Sequence, residues 1–271
     1  MTALPKISIV TLSFNQAAFL EEALTSVISQ DYDDIEYIVV DPGSDDGSRA
    51  LIEKYRNRIT HCLFEGDDGP ADGLNKGFAR ARGEIFGYLN ADDVFLPHTL
   101  KHVAEAFAAR PKIDIISAHG FLADEKGRVF RRFRSSPFDA WGYVYGGGVV
   151  MQQSTFFRRA AFDSVGGFNP HNHTCWDGEL MLDMARAGKR FAVVDAYWSL
   201  FRIHEESISG SQRKIEESRK NWDRLFEKAV GRPRRPFDFC IRLFVRSGKW
   251  LRDPLTPFYR IIDFLFPPRL G

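Results

Sequence analysis

The first 110 residues alternate between two spacings of apolar side chains. Short runs of consecutive apolar and β-branched residues, which are typical of buried strands, occur at residues 7–12, 36–41, 60–65 and 84–89. Each run is followed by a stretch in which apolar residues return every three or four positions, as on one face of a helix. These stretches cover residues 20–28, 50–55, 71–82 and 97–109. The alternation predicts a parallel sheet with right-handed crossover connections.

Each predicted strand ends in a turn that carries acidic or amide side chains. In chain order these are Asn15, Asp41, Asp67 or Asp68, and the pair Asp92 and Asp93. Because the carboxyl ends of parallel strands meet at one edge of a sheet, we expect the turns to line one cleft. Asp45, Asp46 and Asp67 have a simpler interpretation as turn or helix-cap residues.

The pair Asp92 and Asp93 follows the carboxyl end of the fourth predicted strand. Two hard oxygen ligands on one short loop suit Mg²⁺ or Mn²⁺ bound to a substrate diphosphate. The alternative is a strand-to-helix turn in which Asp93 caps the helix that begins near Pro97. A dinucleotide site or a P-loop is not predicted, because neither Gly-x-Gly-x-x-Gly at the first helix nor Gly-x-x-x-x-Gly-Lys-Ser/Thr occurs.

Composition and charge bear on the class of protein and on its location. The 271 residues carry a net charge of +1, so no basic field of the kind found in nucleic-acid-binding proteins is predicted. Three widely spaced cysteines, Cys62, Cys175 and Cys240, favour free thiols in a reducing compartment. The start of the chain does not read as a signal peptide, and no apolar run reaches the roughly 18 residues of a membrane span. These features predict a cytoplasmic location.

The order of the segments resembles the family 2 glycosyltransferases, an inverting family with the nucleotide-sugar-binding GT-A fold. Residues 7–16 resemble the family's first strand and its Tyr/Phe-Asn turn, and residues 39–48 its second strand with an Asp-x-x-Ser-x-Asp-Gly-Ser turn. Residues 68–78 are similar to a subgroup signature at the start of a helix, and residues 149–159 resemble the family strand whose Gln-Ser/Ala-Thr element lines the sugar pocket. Residues 89–93 occupy the position of the metal-binding Asp-x-Asp region. The resemblance covers about residues 6–210.

The resemblance implies an α/β architecture in which a mostly parallel sheet is flanked by helices. It divides the chain into a nucleotide-binding half at about residues 1–110 and an acceptor half at about residues 111–210. Residues 211–271 would form a helical extension.

The resemblance also implies which residues bind the donor and a metal. For the donor these are Leu12, Phe14, Asn15, Asp41, Asp72, Lys76, Asp92 and Gln153. Asp41 would contact the base, Asp92 the ribose or the metal, and Asp93 the Mg²⁺ or Mn²⁺ that bridges the diphosphate. His204, in a segment similar to the family's Arg-x-His-x-x-Ser, is a further candidate metal ligand, or else an ordinary surface or core histidine.

Asp177 matches the family's catalytic base at the start of a helix. A positioned base that takes the proton of the acceptor hydroxyl accelerates such a reaction by roughly 10²- to 10⁴-fold. The alternative is a helix cap, and Glu179, two residues on, is expected to assist or replace Asp177. Two departures from the family pattern bear on these roles: Asn90 stands where many members carry an Asp, and Trp176 where an acid often precedes the base.

The C-terminal segment differs in composition from the rest of the chain. From Arg232 onward there are nine Lys or Arg against three Asp, interleaved with eight aromatic residues. This composition favours a peripheral contact with the inner face of the plasma membrane. The alternative is that the aromatic side chains pack back on the catalytic domain or across a homodimer.

Together these patterns predict a metal-dependent glycosyltransferase of cell-surface polysaccharide synthesis. Its partners would be a nucleotide-sugar donor of the UDP or dTDP type and a saccharide or lipid-linked acceptor. Two alternatives remain: a non-catalytic relative that binds a nucleotide sugar or a partner, and a sugar nucleotidyltransferase. The latter would need a Gly-rich, basic loop after the first strand, which residues 12–16 do not provide.

Overall fold

The computed structural model describes residues 4–204, 215–252 and 255–268. Its first half follows the predicted alternation within a few residues at each boundary. The elements are β1 (Ile7–Leu12), α1 (Ala17–Ile28), β2 (Ile35–Val40), α2 (Ser48–Lys54), β3 (His61–Leu63), α3 (Pro70–Arg80) and β4 (Ile85–Asn90).

The second half is less regular. It contains β5 (Val94–Phe95), α4 (Thr99–Ala109), β6 (Ile115–Ala123), β7 (Val129–Phe133), α5 (Ala140–Val144), β8 (Thr155–Arg158), α6 (Arg159–Asp163), α7 (Trp176–Arg186) and β9 (Phe191–Arg202). The resemblance to the family predicted one strand over residues 149–159. Only β8 is a strand there, and it follows a short 3-10 turn at Gln152–Ser154.

The nine strands of the described residues form one sheet in the order β3-β2-β1-β4-β8-β6-β9-β5, with β7 beside β6. The first four strands in this order are parallel, and β1 pairs with both β2 and β4 from Ile7 onward. Beyond β4 the sheet is mixed, because β8 runs antiparallel to both β4 and β6 while β6 and β9 are parallel. The parallel half therefore ends where the antiparallel β8 begins.

Helices cover both faces of the sheet. Alternate side chains of a strand point to opposite faces. Ile7 and Ile9 accordingly pack with α1 and α4, whereas Val10 packs with α3 and α7. The sheet is thus the middle layer of a sandwich with a core on each side.

The described part of the extension is helical. It contains α8 (Ile215–Val230), α9 (Asp238–Arg252) and α10 (Leu255–Leu265). α8 packs against the second half of the sandwich, where Leu225 contacts Leu182 of α7 and Phe226 contacts Tyr145. No helix within the described ranges is both long and apolar enough to cross a membrane.

Candidate active site

The carboxyl ends of β1 and β4 open onto a cleft of about 520 Å³. Five of the predicted site residues line it: Leu12, Phe14, Asp92, Gln153 and Asp177. The edge of the sheet that topology selects therefore gathers these residues from four separate parts of the chain, as expected for a ligand site in an open α/β sheet.

Asp41 lies at the end of β2 and is fully buried. Its Oδ1 atom accepts hydrogen bonds from the backbone N–H groups of Gly43 (3.1 Å) and Ser44 (2.8 Å) and from the Arg49 guanidinium (3.2 Å). Its Oδ2 atom is buried without a hydrogen-bond partner. A buried orphan oxygen costs about 1–3 kcal/mol, so this atom fits a ligand that donates a hydrogen bond.

Asn15 ties the first turn to the second. Its backbone has φ of 51°, a left-handed conformation that Asn tolerates better than most residues. Its Oδ1 atom accepts from the Asp45 N–H (3.0 Å), and its own N–H donates to Ser44 Oγ (2.9 Å). Asn15 thus fixes the shape of the loops beside the cleft.

Asp72 and Lys76 form an ion pair at the start of α3. Asp72 Oδ2 lies 2.8 Å from Lys76 Nζ and accepts from the Asp68 N–H at 3.0 Å. The contact with Lys76 lowers the pKa of Asp72. Lys76 also donates to the Gly66 carbonyl at 2.6 Å. Both residues hold the turn before α3, and their role toward a donor remains a prediction.

Asp93 is placed differently from the expectation that it faces a metal. It is fully buried, and both of its oxygens already accept hydrogen bonds from the protein. Gln153 Nε2 (2.7 Å) and Asn90 Nδ2 (3.3 Å) donate to Oδ2, and the Arg202 N–H (3.1 Å) donates to Oδ1. Burial, and then the charge of Asp92, raise the pKa of Asp93 well above its usual range. Asp93 also does not cap α4, because the N-cap residue of α4 is His98.

Asp92 lines the cleft and pairs with the buried His204. His204 Nε2 lies 3.1 Å from Asp92 Oδ2, and the His204 ring packs 4.7 Å from the ring of Phe19. Within the described ranges, no three His, Cys, Asp or Glu side chains form a cluster that could hold a metal by themselves. A two-ligand set fits Mg²⁺ or Mn²⁺ only if substrate phosphates and water complete the shell, which is the usual arrangement for Mg²⁺.

Asp177 stands between two cavities. It lines the cleft, and it also lines a second cavity of about 320 Å³ walled by Phe138, Tyr143 and Trp222, which we call the aromatic cavity. Burial raises the pKa of Asp177. It does not occupy the cap position of α7, which is Cys175. Asp177 therefore lies where the two cavities meet.

Glu179 is engaged by the extension instead. It is buried, and Arg224 of α8 binds both of its oxygens at 2.5 and 2.6 Å, while Lys228 lies at 3.0 Å. Burial alone would raise its pKa, but hydrogen bonds from Arg224, Asn172 and Lys228 lower it to about 2. A carboxylate with so low a pKa is a poor proton acceptor, which argues against the expected catalytic role.

The aromatic cavity was not predicted from the sequence. Tyr143 and Trp222 come from α5 and α8, and their rings lie 5.2 Å apart. Gly178 is required beside them, because a Cβ atom at that position would overlap the Tyr143 hydroxyl. The one available signal was a tryptophan in an otherwise strongly charged helix.

The sequence of the chain is similar to those of known glycosyltransferases. The model of the family described as "Glycosyl transferase family 2" matches residues 8–166. An uncharacterised glycosyltransferase of Nostoc sp. is 35% identical over 216 residues, which cover 73% of this chain and 65% of that protein. The O-antigen biosynthesis protein RfbC of Myxococcus xanthus is 38% identical over 219 residues, which cover 77% of this chain and 16% of that protein.

Solved structures show the same fold. A mannosyltransferase from Pyrobaculum calidifontis in complex with GDP-Man and Mn²⁺ has a TM-score of 0.65 at 19% identity, over 97% of this chain and 74% of that one. TarS of S. aureus in complex with UDP-GlcNAc has a TM-score of 0.65 at 18% identity, over 98% and 76% of the two chains. These matches confirm the predicted GT-A fold. With a family match over more than half of its length, the chain belongs to glycosyl transferase family 2.

Proposed function

We propose that this protein is an inverting glycosyltransferase that moves a sugar from a nucleotide-sugar donor to an acceptor hydroxyl, with Asp177 as the general base. The observation that carries the proposal is the position of Asp177, which lines both the cleft and the aromatic cavity. A transferase needs its base where donor and acceptor meet. One half-buried acidic residue between two cavities meets that requirement.

The chemistry assigns one step to this side chain. As the acceptor oxygen bonds to the anomeric carbon, its proton passes to the Asp177 carboxylate, and the bond from that carbon to the diphosphate breaks. Attack from the face opposite the leaving nucleoside diphosphate inverts the anomeric centre. Burial raises the pKa of Asp177, which brings its basicity closer to the working pH and favours proton transfer.

Asp92 and His204 are proposed to hold Mg²⁺ or Mn²⁺ together with the donor diphosphate. When bound, the cation would offset the negative charge that develops on the departing diphosphate. Asp93 is proposed as a positioning residue, since its hydrogen bonds join the loop of Asp92 to Gln153 and to the end of β9. The Mn²⁺ in the Pyrobaculum mannosyltransferase complex supports a metal in this fold.

The donor is proposed to be a nucleotide sugar, of the UDP or dTDP type by the resemblance. UDP-GlcNAc and GDP-Man in two neighbours of the same fold support that class of donor. A saccharide or lipid-linked acceptor is proposed to enter the aromatic cavity, because aromatic walls suit the apolar faces of sugar rings. The named role of the Myxococcus relative in O-antigen biosynthesis supports a place in cell-surface polysaccharide synthesis.

The two departures from the family pattern do not favour a non-catalytic relative. Asn90 donates a hydrogen bond to Asp93, and Trp176 lines the cleft. Both residues therefore make contacts that are compatible with the proposed roles of Asp92 and Asp177.

A panel of nucleotide sugars tests the proposal. We expect one donor to raise the melting temperature in the presence of Mn²⁺ but not of EDTA, and to be turned over with a saccharide acceptor to a product of inverted anomeric configuration. Stabilisation by a donor that no acceptor turns over would favour the non-catalytic alternative. Equal turnover in the presence of EDTA would contradict the metal dependence. A product with retained anomeric configuration would contradict the inverting mechanism.

A further inference from the structure

The outer faces of α9 and α10 expose large apolar side chains. Phe244 is 78% exposed and Phe264 is 86% exposed. The other exposed members are Phe239 and Leu243 on α9, and Phe258, Ile261 and Leu265 on α10. These exposed side chains therefore do not pack back on the catalytic domain as the alternative requires, although Phe244 also lines a cavity of about 500 Å³ between α9 and the sandwich. We call the set the apolar outer face.

Buried carboxylates fix the opposite faces of both helices. Asp238, at the start of α9, accepts from the Tyr145 hydroxyl (2.7 Å) and pairs with Arg232 (2.7 Å). Asp263 of α10 is buried against β7, where it pairs with the Arg132 guanidinium and accepts from the Arg132 N–H at 2.7 Å. The ion pairs, and for α9 the packing of Ile241 and Val245 against the cluster around Tyr145, thus hold the helices to the protein, while the exposed apolar side chains lie on the solvent side.

The charge on the outer face of α9 is positive. Arg242 and Arg246 are exposed and form one row along the helix, next to the row of Phe239 and Leu243. Asp238 and Asp263, the two acids in the described part of the chain after Arg232, are both buried and paired. A cationic row beside an apolar row is the arrangement of helices that lie in the headgroup region of a membrane.

We propose that the apolar outer face binds the surface of an anionic lipid bilayer. Its aromatic rings would enter the boundary between headgroups and acyl chains, and Arg242 and Arg246 would contact lipid phosphates. A second copy of the chain fits this face less well. A two-fold interface sets the same patch against itself, so it would bring the arginine rows together while the nearby acids are buried and already paired.

Vesicle sedimentation with the full chain tests the proposal, using phosphatidylcholine with and without phosphatidylglycerol. We expect binding to the anionic vesicles at 0.1 M salt and much weaker binding at 1 M, because the Debye length falls from about 10 Å to about 3 Å. Phe244→Ser with Phe264→Ser should weaken binding at least tenfold, roughly the effect of withholding one large apolar side chain from burial. Arg242→Gln with Arg246→Gln should weaken binding to the anionic vesicles selectively.

Matched controls lie elsewhere on the surface. Leu4→Ser removes another exposed apolar side chain, and Arg56→Gln with Lys112→Gln removes two exposed charges outside the extension. We expect both controls to bind vesicles as the wild type does. Equal losses in the controls would mean that the effect is not specific to this face and would overturn the proposal.

The oligomeric state of the wild type tests whether a second copy of the chain covers the apolar outer face instead. A wild-type dimer that ignores anionic vesicles and becomes monomeric with Phe244→Ser and Phe264→Ser would make the face a dimer interface and overturn the proposal. If the phenylalanine variant fails to fold, the arginine variant decides, since unchanged binding to anionic vesicles would be the contrary result. These measurements use neither donor nor acceptor, so their outcome is independent of the proposed transferase activity.

Discussion

Two carboxylates in the first turn of α7 have opposite environments. Burial raises the pKa of Asp177, whereas the contacts of Glu179 with Arg224 and Lys228 outweigh its burial and lower its pKa to about 2. The sequence offered both as candidate bases. The cations that distinguish them come from α8, and nothing in the local pattern around residue 177 indicates where α8 packs.

The pKa of Asp177 predicts a pH dependence. Only the ionised carboxylate accepts a proton, so kcat should fall as the pH drops through the pKa of Asp177. Because that pKa is raised from the ordinary value of 3.8, the acid limb should lie above about pH 4. The measurement is kcat against pH at saturating donor and acceptor. A profile that stays flat down to about pH 4 would contradict a raised pKa at the base.

Glu179→Gln should destabilise the protein. The substitution leaves Arg224 and Lys228 with a neutral partner, and we expect a loss of about 2 kcal/mol in the free energy of unfolding. This is less than for a fully buried pair, because both cations reach solvent. Urea denaturation measures it. Asp183→Asn is the control, since Asp183 binds Lys228 but not Arg224 and should cost less. Full stability combined with lost transfer would return Glu179 to the role of base.

The same ion pairs predict an acid-sensitive attachment of α8. The pKa of Glu179 is lower in the folded protein than its ordinary 4.5. Its contribution to stability is therefore fully present above about pH 4.5 and is lost as the pH falls toward about 2. Urea midpoints from pH 6 to pH 2 should show a smaller decline for Glu179→Gln than for the wild type. Parallel declines in the two proteins would contradict this contribution.

Substitutions of Asp92 and Asp93 should differ in their effect on metal binding. Asp92→Asn should raise the Mn²⁺ concentration needed for half-maximal donor binding by at least about tenfold, since it removes an anionic ligand at the cleft. Asp93→Asn should act mainly on stability, because Asp93 binds Gln153 and the Arg202 backbone. Calorimetric titration of Mn²⁺ with a nucleoside diphosphate tests both variants. The reverse ranking would restore Asp93 as the ligand.

At the scale of elements, the first half of the sheet could be predicted and the segment around β8 could not. β1 to β4 and their helices carry their own periodic patterns, so local spacing suffices. Residues 149–159 were interpreted as one strand, but Ser154 Oγ bonds the His119 carbonyl (2.8 Å) and Ser199 Oγ (2.7 Å). Partners so distant in the chain turn the backbone before β8, and they leave no signal in the local sequence.

Trp222→Ala tests the contribution of α8 to the aromatic cavity. Removing this wall should raise the KM for the acceptor by roughly tenfold, a loss of about 1.4 kcal/mol, and leave donor affinity unchanged. Lys220→Ala, an exposed position on the same helix, is the control. Steady-state kinetics with each substrate varied separately measures the effect. An effect on donor KM alone would place Trp222 on the donor side.

At the scale of the whole molecule, the site lies where the parallel half of the sheet meets the mixed half. The proposed donor side follows from topology, because parallel strands bring their carboxyl ends to one edge, and the sequence predicted that edge. The proposed acceptor side depends on α5, α7 and α8 packing together around Tyr143 and Trp222. That packing joins segments far apart in sequence, so it appears only in the folded chain.

Asp177→Asn is the most direct test of the central claim, because it keeps the size of the side chain and removes its basicity. We expect transfer to fall by roughly 10²- to 10⁴-fold, while the Kd of the donor with Mn²⁺ stays within about threefold of the wild type. Single-turnover transfer and calorimetric donor binding measure the two quantities on the same preparation. Transfer at the wild-type rate, or loss of donor binding in step with transfer, would contradict Asp177 as the base.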